Sequence, residues 1–424
     1  MEEHTMTDST KKSNNLFNFA TSELSQDAFF CWSLNWLAVK EDTEDPYYKY
    51  GKAMLDLFLG ENKKDIYKEV KVLKQFNRID VLVLFKDNQD NQYALIIEDK
   101  TNTSEHNEQI ENYKNQLNDA LSKDENIGYK NLPGNQIYTA YVKTGIMYTD
   151  DKYKNDGSTV IIDIKKLNGV ISNFQDLCKN VILTDYYNYL NSEIARRDNT
   201  EKSFNKNQIE TSLLDSYGQL YFLNSIFGEP EQFSIGNTHT NSTNIEKVYI
   251  NNIYTGTSRG SRWTQYCFWG HRFPNPILDS GVNEFHYLFW RVDCANHKIS
   301  GRPSEKCIAL KYYDKNIKNE KKLEIYSEPI QKKYRQVQSR NVKVYQELIN
   351  YATNNIKSKY KDLVFVPEEN KRSKNDVKEK LLLLIPLVEL QKLDLKQRKK
   401  DMNDIQSSLI NFCKEKIENN ESLK

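Results

Sequence analysis

Two stretches, Asn77-Arg78-Ile79-Asp80-Val81-Leu82-Val83-Leu84 and Tyr93-Ala94-Leu95-Ile96-Ile97-Glu98-Asp99-Lys100, decide how this chain folds. Each holds a short apolar run rich in Val, Ile and Leu, read as a strand over Arg78 to Phe85 and over Tyr93 to Glu98, and Asp87-Asn88-Gln89-Asp90-Asn91 between them supplies a hairpin-like turn. Each also carries charge where a buried strand has no structural use for it. Burying a carboxylate beside such a strand costs several kcal/mol unless a cation or hydrogen bonds compensate. Side chains alternate along a strand, so Glu98 and Lys100 point to one face and Asp99 to the other. If Asp80 faces the same side from the neighbouring strand, two carboxylates and an ammonium converge.

Working outward, Ile66 to Leu73 reads as a further strand, and Ile137 to Val142 and Thr159 to Ile164 as two more. Before them, Leu24, Ala28, Cys31, Leu34 and Leu37 recur at helical spacing behind Thr21 or Ser22 as N-cap, with Glu23 in the first turn. A second helical pattern, Ala53, Leu55, Leu57 and Phe58, follows the turn around Pro46. From Ser104 to Leu121 a third helix is expected, capped by Ser104 or Asn107, with Ile110, Tyr113, Leu117 and Leu121 on its apolar side. Helix, strands, helix, strands is an α/β arrangement around a mixed sheet.

Residues 1–13 read as a disordered tail and 14–195 as this first domain, with the polar run Arg196 to Lys206 as a linker. An α+β domain over 205–330 is expected next, with nucleic-acid or partner binding as its expected role, and then a helical C-terminal region over 331–424 in which Leu381 to Phe412 is broken only by Pro386. No window approaches the length of apolar sequence that spans a bilayer, and the polar, acidic start has no signal-peptide core, which makes the cytoplasm the expected compartment. The six cysteines are scattered and fit no disulfide framework. Cys267-x-x-x-His271 and Cys294-x-x-His297 invite a zinc reading, but buried thiols among aromatics are preferred.

The near-neutral total charge hides an asymmetry. Residues 1–170 hold 21 Lys and Arg against 28 Asp and Glu, so the first part is net −7 and the remainder net +8. An acidic part with clustered carboxylates suits divalent cations, and a basic part suits a polyanion. Thr257-Ser258-Arg259-Gly260-Ser261-Arg262-Trp263 supplies residue types that contact phosphates and stack on bases, which makes Arg259 and Arg262 candidate nucleic-acid contacts. No G-x(4)-G-K-[ST] loop is present, so intrinsic ATP-driven translocation has no support.

Two acids and a lysine converging on strand ends are what hydrolysis of a phosphodiester needs. The carboxylates hold Mg²⁺ or Mn²⁺, the metal acidifies a water, and the lysine orients that water or offsets charge at phosphorus. These residues resemble the PD-(D/E)XK, restriction-endonuclease-like nuclease superfamily, whose pattern is an acid in an opening helix, an Asp on the second core strand and (D/E)-x-K on the third. Glu23, Asp80, Glu98 and Lys100 match it, and Ile79 stands where the proline would be. Gln109-Ile110-Glu111-Asn112-Tyr113 resembles the Q-x-x-x-Y element found in a subset of these nucleases.

The resemblance covers roughly residues 14–170. It implies a restriction-endonuclease-like fold, with Glu23, Asp80, Glu98 and Lys100 catalytic. It implies Mg²⁺ or Mn²⁺ on Asp80, Glu98, the Asp99 backbone carbonyl and Glu23, with Gln109 and Tyr113 toward nucleic acid. The implied activity is metal-dependent hydrolysis of nucleic acid, DNA being the expected substrate, in a setting of phage defence or DNA repair. The alternative is a catalytically inactive nuclease-like binding or regulatory module. The partners expected are nucleic acid and no membrane, with room for a protein partner or a second copy of the chain.

Overall fold

The computed structural model describes residues 14–20, 23–101, 109–124, 127–147, 158–206, 208–209, 215–228, 232–235, 252–258, 261–274, 283–299, 301–314, 324, 326–366 and 379–420. The expected tail at 1–13 and the caps Thr21, Ser22, Ser104 and Asn107 lie outside them. The chain divides into two compact units, one of Met1–Met147 with Asp151–Arg196 and one of Tyr148–Asp150 with Arg197–Lys424.

The first unit runs α1 (Glu23–Val39), α2 (Pro46–Leu59), β1 (Lys68–Phe76), β2 (Ile79–Lys86), β3 (Gln92–Lys100), α3 (Gln109–Ser122), β4 (Ile137–Lys143), β5 (Thr159–Asp163), α4 (Ile164–Ser172), α5 (Gln175–Cys178) and the part of α6 (Val181–Asn205) up to Arg196. Its sheet has the order β1-β2-β3-β4-β5, antiparallel through β3 and parallel from β3 to β5. This is the mixed sheet flanked by helices that the sequence calls for.

Strand alternation divides the core into two layers. Val81, Val83, Leu95, Ile97, Ala140 and Val142 pack with Phe30, Leu34, Met54 and Phe58 of α1 and α2. Leu82, Leu84, Ala94 and Ile96 pack with Leu117 and Leu121 of α3 on the other side. α1 and α2 pack closely at Gly51, where a Cβ would lie 3.2 Å from the Ser33 carbonyl oxygen.

Two turns set the register on which the site depends. Asn77 and Arg78, with φ of 47° and 72°, make the two-residue connection from β1 to β2, the left-handed pair that a tight hairpin of this twist requires. Between β2 and β3, Asp87 Oδ1 accepts the backbone N–H groups of Gln89 and Asn91 at 2.9 and 3.0 Å, so one carboxylate shapes the whole turn.

The second unit contains α7 (Ser216–Phe227), β6 (Gln232–Ile235), β7 (Asn252–Ser258), β8 (Ser261–Pro274), β9 (Asn283–His297), β10 (Glu305–Asp314), α8 (Glu328–Tyr351), β11 (Glu379–Pro386), α9 (Leu387–Leu390) and α10 (Leu395–Cys413). Its six strands form a sheet in the order β11-β10-β9-β8-β7-β6, antiparallel except between β6 and β7. Trp290 is buried within it, stacks on Phe227 of α7 at 6.0 Å, and donates its indole N–H to Gln406 of α10 at 3.1 Å.

Three expectations need correction. The polar run Arg196 to Lys206 does hold the division between the two units, which falls between Arg196 and Arg197, but it is helical there: α6 continues through it to Asn205, with Phe204 buried and Arg196 paired to Glu193 at 2.7 Å. Its polarity is that of a solvated helix face. Second, Leu381 to Ile385 is not helical but lies in β11, paired with β10, so the region over 331–424 completes the sheet begun in 205–330. A continuous apolar run of five suits a buried strand or a buried helix equally, and here the partner strand decides. Third, Leu24 and Ala28 are exposed, whereas Gln26, Asp27 and Ser33 are buried along α1. The buried face of that helix is partly polar, for a reason the site makes plain.

Candidate active site

The pairing of Val81 with Ile97, continued by one residue, sets Asp80 opposite Glu98 on neighbouring antiparallel strands. Lys100 lies two residues further along β3, on the same face as Glu98. Its Nζ is 2.5 Å from Glu98 Oε1 and 3.9 Å from Asp80 Oδ2. Glu98 is 1% exposed, so this ion pair is formed almost out of water. Burial opposes the charge on Lys100, but the carboxylates of Glu98, Asp80 and Glu23 outweigh it and hold the amine above the usual lysine range. Lys100 is therefore a cation throughout the neutral range, suited to binding an anion and unsuited to acting as a free base.

The other expected residues gather at the same strand end. Glu23 Oε1, from the first turn of α1, accepts the backbone N–H of Thr101 at 3.1 Å, just past β3. Its carboxylate thus ties the opening helix to the strand that bears Glu98 and Lys100. Asp80 Oδ2 accepts the Asp99 N–H at 3.0 Å, which fixes the Asp80 side chain against β3. On α3, Gln109 Nε2 donates to the Tyr113 hydroxyl at 3.3 Å, and Tyr113 packs against the layer that includes Ile79, Leu82 and Ile96. Burial, and after it the charge of Glu98, raise the Tyr113 hydroxyl above its ordinary range, so it remains a neutral donor facing the acids.

Asp99 departs from its expected part. The resemblance implies a role only for its carbonyl, yet its side chain is fully buried on the α1 side of the sheet. Gln26 Nε2 donates to Asp99 Oδ1 at 2.5 Å, while Gln26 Oε1 accepts the hydroxyls of Thr144 and Tyr186, each at 2.9 Å. Beside it Asp27, 1% exposed, takes Gln75 Nε2 at 3.0 Å, and the same amide nitrogen reaches Asp80 Oδ1 at 3.2 Å. Asp27 Oδ1 and Asp99 Oδ2 receive no hydrogen bond from any other donor.

Burial, and next the charge of Asp80, push Asp27 up to about 6. Burial and the charge of Asp27 push Asp99 well above the usual carboxylate range, against the opposing pull of Gln26. Asp99 therefore gives up its proton less readily than an ordinary aspartate, and its carboxyl is hydrogen-bonded to that of Asp27. Sequence reasoning does not single out Gln26, Asp27, Gln75, Thr144 or Tyr186. A signal for one existed, since Asp27 lies four residues after Glu23 and three before buried Phe30, an acid on the apolar stripe of α1.

The sign of the pH effect follows. A carboxyl whose pKa is raised on folding adds stability below about pH 3.9, the ordinary aspartate value, and loses it as pH climbs through the raised value. For Asp27 that window runs from about 4 to about 6, and Asp99 extends it upward. In Asp27→Asn the new amide still accepts from Gln75 and donates to Asp99 without a proton from solvent. Thermal unfolding in EDTA should show a higher Tm than wild type at pH 7 and a flatter pH profile between pH 4 and 7. A lower Tm at pH 7 with an unchanged profile would show that the two acids do not share a proton.

Among the described residues no three carboxylate, imidazole or thiol groups are assembled into a metal-holding group. Two hard carboxylates, Asp80 and Glu98, still fit Mg²⁺, which binds through one or two carboxylates and takes its remaining ligands from water and substrate phosphate. Zinc is not favoured in the second unit, where Cys267 is buried with Tyr287 and Phe289 and burial pushes its thiol well above the ordinary range. Arg259 lies outside the described residues, and Arg262 is exposed at the start of β8. Arg291 is no free phosphate contact, being paired with Glu379 at 2.9 Å and laid over the Trp263 ring at 4.7 Å.

Set against known proteins, the chain matches no family model, no curated protein and no solved structure. Among the described residues no helix is long and apolar enough to cross a membrane.

Proposed function

We propose that the first unit is a divalent-metal-dependent nuclease of the PD-(D/E)XK type that hydrolyses phosphodiester bonds, DNA being the favoured substrate. The observation that carries this reading is the convergence of Asp80, at the start of β2, with Glu98 and Lys100, at the end of the neighbouring β3, the buried glutamate being held by the lysine 2.5 Å away. As a structural device this is a poor choice: replacing a buried ion pair by apolar side chains of like volume is often neutral or stabilising. Charges retained at such a position are better explained by chemistry than by stability.

Asp80 and Glu98 would hold Mg²⁺ or Mn²⁺, which when bound supplies an acidified water and neutralises charge on the phosphate. The chain's own groups do the remaining work. With Glu98 engaged by such a cation, the Lys100 ammonium would be available to face the phosphate and the developing charge at phosphorus. Gln75 and the Asp99 N–H hold Asp80 in place. Glu23 anchors the strand end, and Tyr113 presents a neutral hydroxyl from α3. Glu23→Gln and Tyr113→Phe, which touch the frame more than the reacting atoms, should slow cleavage less than loss of Lys100, a ranking checked by single-turnover rates.

The Glu98–Lys100 pair also favours one competing reading, a nuclease-like binding module in which lysine permanently occupies the cation's place. One assay separates the two. Purified full-length protein is incubated with supercoiled, linear and single-stranded DNA and with RNA, in Mg²⁺, Mn²⁺ and EDTA. Cleavage of any of these that EDTA stops supports the nuclease, and binding without cleavage under every condition supports the module.

A further inference from the structure

We infer that α8 of the second unit carries a phosphate-binding face for duplex nucleic acid, which deepens and rests on the nuclease reading by naming where substrate is held. From Pro329 to Gln346 the helix contains Lys332, Lys333, Arg335, Arg340 and Lys343 and no acidic residue. The chain as a whole has 60 basic and 59 acidic residues, so an ordinary solvated face would mix the two signs. Tyr334, Val337, Asn341, Val344 and Leu348 form the buried side of α8.

At about 100° per residue, Lys332, Arg335, Gln336, Ser339, Lys343 and Gln346 fall on one opposite stripe, and all six are exposed. Lysine and arginine interleaved with Gln and Ser are the side chains that contact phosphate oxygens. The acids Glu328 and Glu347 stand at the ends of the stripe, yet neither forms an ion pair with Lys332 or Lys343 among the described residues. Nor does the helix dipole explain Lys332 and Arg335, because cations in the N-terminal part of a helix gain nothing from it.

From Lys332 to Lys343 the face spans roughly 16 Å at 1.5 Å per residue, the length of about five base-pair steps at 3.4 Å. Three cations over that length suit a row of phosphates. A folded acidic protein has its carboxylates scattered instead of strung along a line, so the regular polyanion is the better match. Arg340, over the Phe273 ring at 4.9 Å, flanks the stripe and is left out of the test.

The test uses the full chain and a fluorescein-labelled 20-base-pair DNA duplex in EDTA, so that cleavage plays no part. Anisotropy across 50–200 mM salt is read for wild type, for the combined variant Lys332→Gln, Arg335→Gln, Lys343→Gln, and for the charge-keeping Lys332→Arg, Lys343→Arg. The neutral variant, with its Tm and circular dichroism matching wild type, should bind at least about tenfold more weakly, with a logarithmic salt slope shallower by about 2 to 3, since each lost phosphate contact removes about 0.9. The arginine variant should keep the wild-type slope. Should the neutral variant fail to fold, the single change Lys343→Gln should still lower the slope by about 1.

An unchanged slope in the folded neutral variant overturns the assignment. So does competition by polyglutamate as effective as that by unlabelled duplex at equal charge, which would mark the face as a site for acidic protein. Cleavage in Mg²⁺ with an unchanged slope would leave the nuclease reading standing and remove this one. A slope lost in the neutral variant of a protein that cleaves nothing would do the reverse.

Discussion

Asp80→Asn and Glu98→Gln should each abolish divalent-dependent cleavage while the protein stays folded. Neutral amides are poor ligands for Mg²⁺, and with two carboxylates on offer the loss of either leaves too little charge to hold the ion and orient its water. The two variants should part in their metal-free stability. Glu98 is the nearest counter-charge of the buried Lys100, so Glu98→Gln leaves an ammonium short of its partner and should lower the Tm in EDTA. Asp80 lies 3.9 Å from that ammonium but adds repulsion to the Asp27 and Asp99 carboxyls, so Asp80→Asn should change the Tm little or raise it. Thermal scans of both proteins beside a plasmid-cleavage assay check the two halves together. Full activity in a folded Asp80→Asn protein would remove that residue from the chemistry.

Lys100→Ala should lower turnover by about two to four orders of magnitude, the loss typical of one electrostatic or acid–base group in the transition state. Because the amine is held charged by Glu98, Asp80 and Glu23, its contribution is a positive charge presented to phosphate. Affinity for Mn²⁺, followed by calorimetry on the substrate-free protein, should hold or rise, since removal of the cation frees Glu98 for the metal. Parallel losses of metal affinity and rate would show that Lys100 only supports the site. In EDTA the variant should melt lower than wild type, because Glu98 is then a buried carboxylate short of its cation.

Much of the first unit was legible because its strands are punctuated by turns of clear chemistry. The apolar runs ending at Phe85 and Glu98 and the Asx-rich link between them correspond closely to β2, β3 and the Asp87 turn. Asp80, Glu98 and Lys100 stood out because a charge in an apolar run calls for compensation. Asp27 and Gln26 did not, because in a helix a polar residue on the buried stripe is masked by the exposed polar residues around it. Gln75 was hidden for another reason. It has φ of 55° at the end of β1, and its reach to both Asp27 and Asp80 is set by that local backbone, which spacing does not reveal.

In the second unit the error over Leu381 to Ile385 came from an apolar run whose period is the same for a helix and a strand buried on both faces. Its pairing partner, β10, lies some seventy residues earlier in the chain, at a separation no local pattern reports. The basic stripe of α8 was concealed likewise, within a region whose charge was read only as a total. Once the helix is drawn, three positive side chains that look scattered along the sequence share one face.

The most direct measurement of the central claim is metal add-back. Full-length protein stripped with EDTA is mixed with supercoiled plasmid, Mg²⁺ is then added, and product is followed for wild type and for folded Asp80→Asn. Nicked or linear DNA should appear only after the addition and only with wild type. Cleavage that persists in EDTA, or that proceeds equally in the variant, would contradict the account.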